Sequence, residues 1–133
     1  MKARAVRRSG YAHDVAAGGH AIVVDEPPDK GGADSGPTPT QLLAMSLAAC
    51  TAITIEMYAE RKGWDVGQVE VEVDYELDPR GGCYAYDVAV KLEAALDDDQ
   101  LERVRSVAGK CPVHRALEGD VAIRDRVERL APA

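Results

Sequence analysis

The segment from Gly36 to Gly63, GPTPTQLLAMSLAACTAITIEMYAERKG, restricts what this chain can fold into more than any other. It opens with the marks of a helix N-terminus. Thr38 can cap, Pro39 suits the first helical position, and Gln41 can reach back to complete a capping box. It closes with Arg61 and Lys62 in the last turn, where the helix dipole favours cations, and with Gly63, which can take the left-handed conformation that stops a helix. Between these signals, Leu42, Leu43, Met45, Leu47, Ala48, Ala49, Ile53 and Ile55 leave almost no polar face, and Ser46, Thr51 and Thr54 are the soft interruptions. A helix apolar all round is expected to be buried on all sides. The apolar run from Leu42 to Ile55 is 14 residues, fewer than the about 20 that cross a bilayer. The segment therefore predicts the central helix of a soluble core, no membrane partner, and the thiol of Cys50 inside the helix.

The rest of the chain must cover that helix. At 133 residues it is expected to be a single domain over 1–133, burying roughly two-thirds of the surface of its unfolded chain. With no Phe and one Trp, the core has to be built from Ala, Val, Leu and Ile. Small residues on a buried helix also permit close packing against a second copy of the chain, and a homodimer is expected. Residues 2–8 and 11–16 alternate loosely about the turn signal Ser9-Gly10, and Gly18-Gly19 is a second turn before the apolar run Ala21 to Val24, which predicts an antiparallel meander of three short strands. Residues 25–37, DEPPDKGGADSGP, read as a long loop. Val69, Val71, Val73 and Tyr75 alternate with Glu70, Glu72, Asp74 and Glu76, and Tyr84, Tyr86, Val88, Val90 and Leu92 continue the pattern after Pro79-Arg80-Gly81-Gly82. That is a long hairpin with one acidic, solvated face. Asp97 caps a second helix with Leu101, Val104 and Val107 inward. Cys111-Pro112 opens a short third helix ending at Gly119, and Val121 and Ile123 belong to a last strand. Strands, helix, hairpin, helices and strand in that order make an α+β chain.

Charge and cysteine usage exclude some functions. The net charge is −7, and Lys2, Arg4, Arg7 and Arg8 alternate along a strand instead of forming a basic patch, so nucleic acid is not an expected partner. Three cysteines, an odd number, and no apolar leader point to a reducing cytoplasm.

Two thiols could carry chemistry. Cys111 stands where the helix N-cap should be, so a thiolate there would face unpaired N–H groups and the positive end of the dipole, with Lys110 and Arg115 nearby in sequence. The plainer alternative is a thiol filling a helix start. Cys50, deep in an apolar helix, is disfavoured as a thiolate by desolvation and needs a cation or a second thiol to matter. Cys83, beside a Gly-Gly turn, reads as incidental. Cys111 and His114 make a C-x-x-H spacing to which Cys50 could add a third zinc ligand. With no C-x-x-C pair and no second ligand pair, however, no metal and no other cofactor is expected.

Two segments together carry a family resemblance: GPTPTQLLAMSLAAC, residues 36–50, and CPVHRAL, residues 111–117. A small-residue helix reaching Ala-Ala-Cys, followed 61 residues later by a Cys-Pro helix start, resembles the OsmC/Ohr family of thiol-dependent hydroperoxide reductases. The resemblance implies an OsmC-like α+β fold, with antiparallel sheets packed around a long buried central helix in an intertwined homodimer whose active sites lie at the dimer interface. It implies that Cys50 is the peroxidatic thiol, oxidised to a sulfenic acid, and that Cys111 is the resolving thiol that closes a disulfide with it. The family's arginine from the first strands falls near Gly10-Tyr11, with Arg8 the nearest basic residue. Its glutamate before the central helix is matched by Thr40 in Pro39-Thr40-Gln41-Leu42. This chain thus resembles a divergent branch, in which Arg8 or Arg115 would have to activate the thiol and Thr40 and Gln41 stand at the substrate-binding positions. The implied function is a thiol peroxidase acting on organic hydroperoxides or peroxide in oxidative stress defence, reset by a cellular dithiol. The alternative is a non-catalytic small-ligand-binding or redox-sensing protein that uses the same pocket for a small apolar ligand.

Overall fold

The structure, a computed structural model, describes residues 1–81 and 83–131, without the Cys83 side chain. The expectation that Cys83 is incidental and the Gly82 end of the predicted turn lie outside the described residues. The chain opens with β1 (Ala3–Ser9), β2 (Ala12–Ala17) and β3 (His20–Val24), an antiparallel meander in that spatial order. A second, separate sheet is the hairpin of β4 (Val69–Leu77) and β5 (Cys83–Leu92). Its register sets Val71 opposite Val90, Val73 opposite Val88 and Tyr75 opposite Tyr86. The β4 valines are half-buried and the acidic residues between them exposed, as the alternation predicts. Lys91 reaches across the wet face to Glu72 at 2.8 Å and Glu70 at 3.4 Å.

The central helix α1 spans Pro39–Lys62. Its start is the predicted capping box. The Gln41 backbone N–H donates to Thr38 Oγ1 at 3.2 Å, and the Thr38 N–H donates to Gln41 Oε1 at 2.9 Å. Gly63 ends it at φ 70°. At 24 residues, α1 is long and apolar enough by composition to cross a membrane. It packs, however, against β4, β5, α2 (Asp98–Ala108) and α3 (Pro112–Glu118), which makes it a core helix. One stripe of it is buried within the chain: Ala44, Leu47, Thr51, Ile55 and Ala59, spaced three and four residues apart. The opposite side is open, with Leu43, Met45, Ile53 and Met57 between 44% and 60% exposed. Burial on all sides is thus not reached by one chain, because one hairpin and two short helices cover one side of a helix of this length. In α2, capped by Asp97, Val104 and Val107 are buried while Leu101 stays at the rim.

The predicted last strand is a correction. Val121 and Ile123 are exposed, and residues 119–131 join neither sheet. Alternating residues suffice for an extended segment, but a strand also needs a neighbouring backbone to pair with.

The 25–37 loop is ordered by a buried carboxylate. Asp25, 1% exposed, accepts the Ser35 hydroxyl at 2.6 Å and the N–H groups of Glu26 at 2.8 Å, Ala33 at 3.2 Å and Ser35 at 3.2 Å. The loop returns so closely that a Cβ on Gly36 would lie 1.9 Å from the carbonyl oxygen of Val23. The Ser35 hydroxyl, followed by the Glu26, Ser35 and Ala33 amides, lowers the Asp25 pKa from 3.8 to about 2 against the opposing effect of burial. A group held lower in the folded state than in the unfolded one contributes stability that is complete above about pH 4 and disappears as pH falls through about 2. Asp25→Asn is therefore expected to lower the urea midpoint at pH 6 and to flatten its decline between pH 4 and pH 2. Parallel pH profiles for the two proteins would contradict this.

Candidate active site

The site is built where α3 meets the middle of α1. Cys111 is the N-cap of α3 and is fully buried at 0% exposure. Its Sγ accepts the backbone N–H of His114 at 3.2 Å, the contact expected of an N-cap side chain. On its other side the sulfur lies 3.8 Å from Oγ1 of Thr51, itself 1% exposed. Thr51 follows Cys50 directly, so the two thiols flank one turn of α1. Successive side chains on a helix are turned by about 100°. Thr51 therefore belongs to the buried stripe, while Cys50, half-buried, sits toward the open face near Leu43 and Met57. Both thiols are free.

The other expected site residues are not at the sulfurs within one chain. Arg8 lies on the exposed meander, its guanidinium paired with Asp14 at 2.7 Å. Arg115 is exposed on α3, and its backbone N–H donates to the Cys111 carbonyl at 3.1 Å. Thr40 is in the first turn of α1, about 15 Å along the axis from Cys50 at the rise of an α-helix. Its hydroxyl lies 3.3 Å from that of Thr38. Thr40 and Gln41 line a cavity of about 560 Å3 together with Tyr75 and Leu77, at the hairpin tip.

Among the described residues no group of three His, Cys, Asp or Glu side chains could hold a metal ion. Cys111 and His114 meet through sulfur and a backbone amide, while the imidazole Nδ1 stands 3.4 Å from Glu118 Oε2. The imidazole borders a cavity of about 450 Å3 walled by Val88, Val90, Leu92 and Val104, and Thr51 lies on the same wall. The arrangement offers a buried sulfur held by a backbone N–H and a hydroxyl contact, a second thiol on the adjoining face of a helix, and apolar space beside them. Nothing local in the sequence marks Thr51 as a site residue or Asp25 as the residue that orders the loop. The signal available for Thr51 is its helical register: it aligns with Leu47 and Ile55 and is the polar member of that stripe.

A protein of Psychrobacter arcticus 273-4, described as a candidate osmotic stress induced and detoxification response protein, superposes with a TM-score of 0.79 at 23% identity, covering 87% of each chain. A Legionella pneumophila structure described as an organic hydroperoxide resistance protein OsmC superposes with a TM-score of 0.63 at 25% identity, covering 89% of this chain and 88% of that one. An uncharacterized protein of Haloferax volcanii is 27% identical over 90 residues, 66% of this chain and 68% of its own. Residues 31–124, which include the second half of the loop, α1, the hairpin and both short helices, match the sequence model of the OsmC-like proteins, and the chain belongs to that family.

Proposed function

We propose that this protein is a two-cysteine thiol peroxidase that reduces organic hydroperoxides or peroxide. Cys50 attacks the peroxide oxygen and becomes a sulfenic acid. The alcohol or water leaves, and Cys111 then closes a disulfide that a dithiol reopens. The observation that carries this reading is the 3.8 Å approach of the Cys111 sulfur to Thr51, which brings a second, fully buried thiol to the helix turn of Cys50. Membership of the family supports it, as does the structural likeness to the Legionella hydroperoxide resistance protein. The working unit is a homodimer. β1 is exposed along its whole length, and α1 leaves Ile53 and Met57 open beside Cys50. Only Ala12 and Val24 of the three-stranded sheet are buried, and a sheet needs an apolar face packed against something to be stable. A second copy would also be the source of the cation and the N-terminal helix turn that one chain keeps away from Cys50.

One equivalent of tert-butyl hydroperoxide is expected to remove two thiols per chain in a Cys83→Ser protein, with sedimentation giving the mass of a dimer. Retention of both thiols would favour the second reading, a non-catalytic binding protein. That reading is supported by the Arg8–Asp14 pair, which leaves the nearest N-terminal cation engaged, and by an apolar cavity of about 400 Å3 lined by Val15, Val24, Pro39 and Leu42.

A further inference from the structure

We infer that Thr51 is a positioning residue for the resolving thiol, its hydroxyl holding the Cys111 sulfur against α1 and stabilising it as it attacks. The inference rests on the thiol chemistry proposed above. Thr51 is the one polar residue in the buried stripe of Ala44, Leu47, Ile55 and Ala59, and it is 1% exposed. A buried hydroxyl costs stability unless it is hydrogen-bonded, and valine would fill the same volume without that cost. A helical threonine usually satisfies its hydroxyl on a carbonyl one turn back. Here the recorded partner of Oγ1, among the described residues, is the Cys111 sulfur at 3.8 Å. The His114 N–H reaches the same sulfur at 3.2 Å from the opposite element. A hydroxyl from α1 and an amide from α3 thus converge on one fully buried sulfur, and across the 3.8 Å contact either the hydroxyl or the protonated thiol can donate.

As the sulfur gives up its proton during attack it can only accept, so the Thr51 hydroxyl then donates to it beside the His114 N–H, and both contacts favour the negative charge it carries. In the closing step the Cys111 sulfur bonds to the Cys50 sulfur of the sulfenic acid, and the Cys50 S–O bond breaks. The hydroxyl leaves with the Cys111 thiol proton as water. The Cys50 sulfur is reduced from the sulfenic to the disulfide level and the Cys111 thiol is oxidised to it, the hydroperoxide having supplied the oxidising equivalents. Thr51 neither gives nor takes a proton in the net step. It orients the nucleophile and supports its charge.

The test compares Thr51→Val and Thr51→Ser in a Cys83→Ser background. Cys50 sulfenic acid is trapped with dimedone and the disulfide followed by mass spectrometry after one equivalent of tert-butyl hydroperoxide. In Thr51→Val the ratio of closure rate to sulfenic acid formation rate is expected to fall on the order of 10-fold, the scale of one hydrogen bond to a charged group. The Tm of the reduced protein should stay level or rise. Thr51→Ser should restore closure. Equal closure in Thr51→Val, or failure of Thr51→Ser to restore it, overturns the inference. A second arm closes the disulfide with diamide, which needs Cys111 as nucleophile but no peroxide. If peroxide leaves Cys50 untouched while diamide closure still slows in Thr51→Val, the peroxidase reading fails and the role of Thr51 stands. If diamide closure is unchanged, or no Cys50–Cys111 disulfide forms, the role of Thr51 falls whatever peroxide does.

Discussion

Ile55→Ala is expected to destabilise the protein by about 2–5 kcal/mol, the range for truncating a fully buried aliphatic side chain. Ile55 is 1% exposed and belongs to the α1 stripe that packs on the hairpin and α2. With no Phe in the chain, there is little bulky neighbouring material to collapse into the space. Core residues cut from Ala, Val and Leu already pack with small side chains, so the lost transfer energy and the cavity add. The measurement is the urea midpoint at pH 7, with an unchanged m-value as evidence that the same two states are compared. A loss below about 1 kcal/mol would mean that the site relaxes or is not the core. Met57→Ala gives the useful contrast. On an isolated chain its 60% exposed side chain should matter little, whereas a helix covered by a second copy should lose both stability and association.

What sequence could reveal here follows from how local each cause is. The capping box of Thr38 and Gln41, the stop at Gly63, the alternation from Val69 to Tyr75 and the cap at Asp97 involve residues a few positions apart, and the structure has all of them. The failures involve partners distant in the chain. Val121 and Ile123 alternate like a strand yet have no strand beside them, which no local pattern reports. Asp25 looks like an ordinary loop acid; its importance comes from Ala33 and Ser35 folding back onto it. At the site, Cys111 at the start of α3 was legible because Pro112 fixes the cap. That its sulfur meets Thr51, 60 residues earlier, depends on how α3 packs on α1. Arg8 shows the same limit in reverse. Its proximity in number to the family's arginine position says nothing of Asp14, which it engages across the β1–β2 turn.

The sharpest functional expectation separates the two thiols. In a Cys83→Ser background, Cys50→Ser should abolish peroxide consumption, lowering turnover by about 10^3-fold or more, the scale on which loss of a nucleophile acts. Cys111→Ser should also stop steady turnover, but with a burst of one peroxide per chain, because Cys50 can still be oxidised once. Its sulfenic acid, lacking a resolving partner, should then be trapped by dimedone or advance to the sulfinic level with excess peroxide. Charge support and solvent access favour different thiols. The His114 amide supports charge on the Cys111 sulfur as it attacks, but that residue is 0% exposed and reaches no peroxide from solvent as it stands. Among the described residues no donor reaches the Cys50 sulfur, yet Cys50 is half-buried on the open side of α1, where a substrate can approach. Access decides the first step, since an attack needs the oxidant within contact, and charge support decides the second, where the nucleophile is already in place. A burst in Cys50→Ser with none in Cys111→Ser would reverse this order and make Cys111 the peroxidatic thiol.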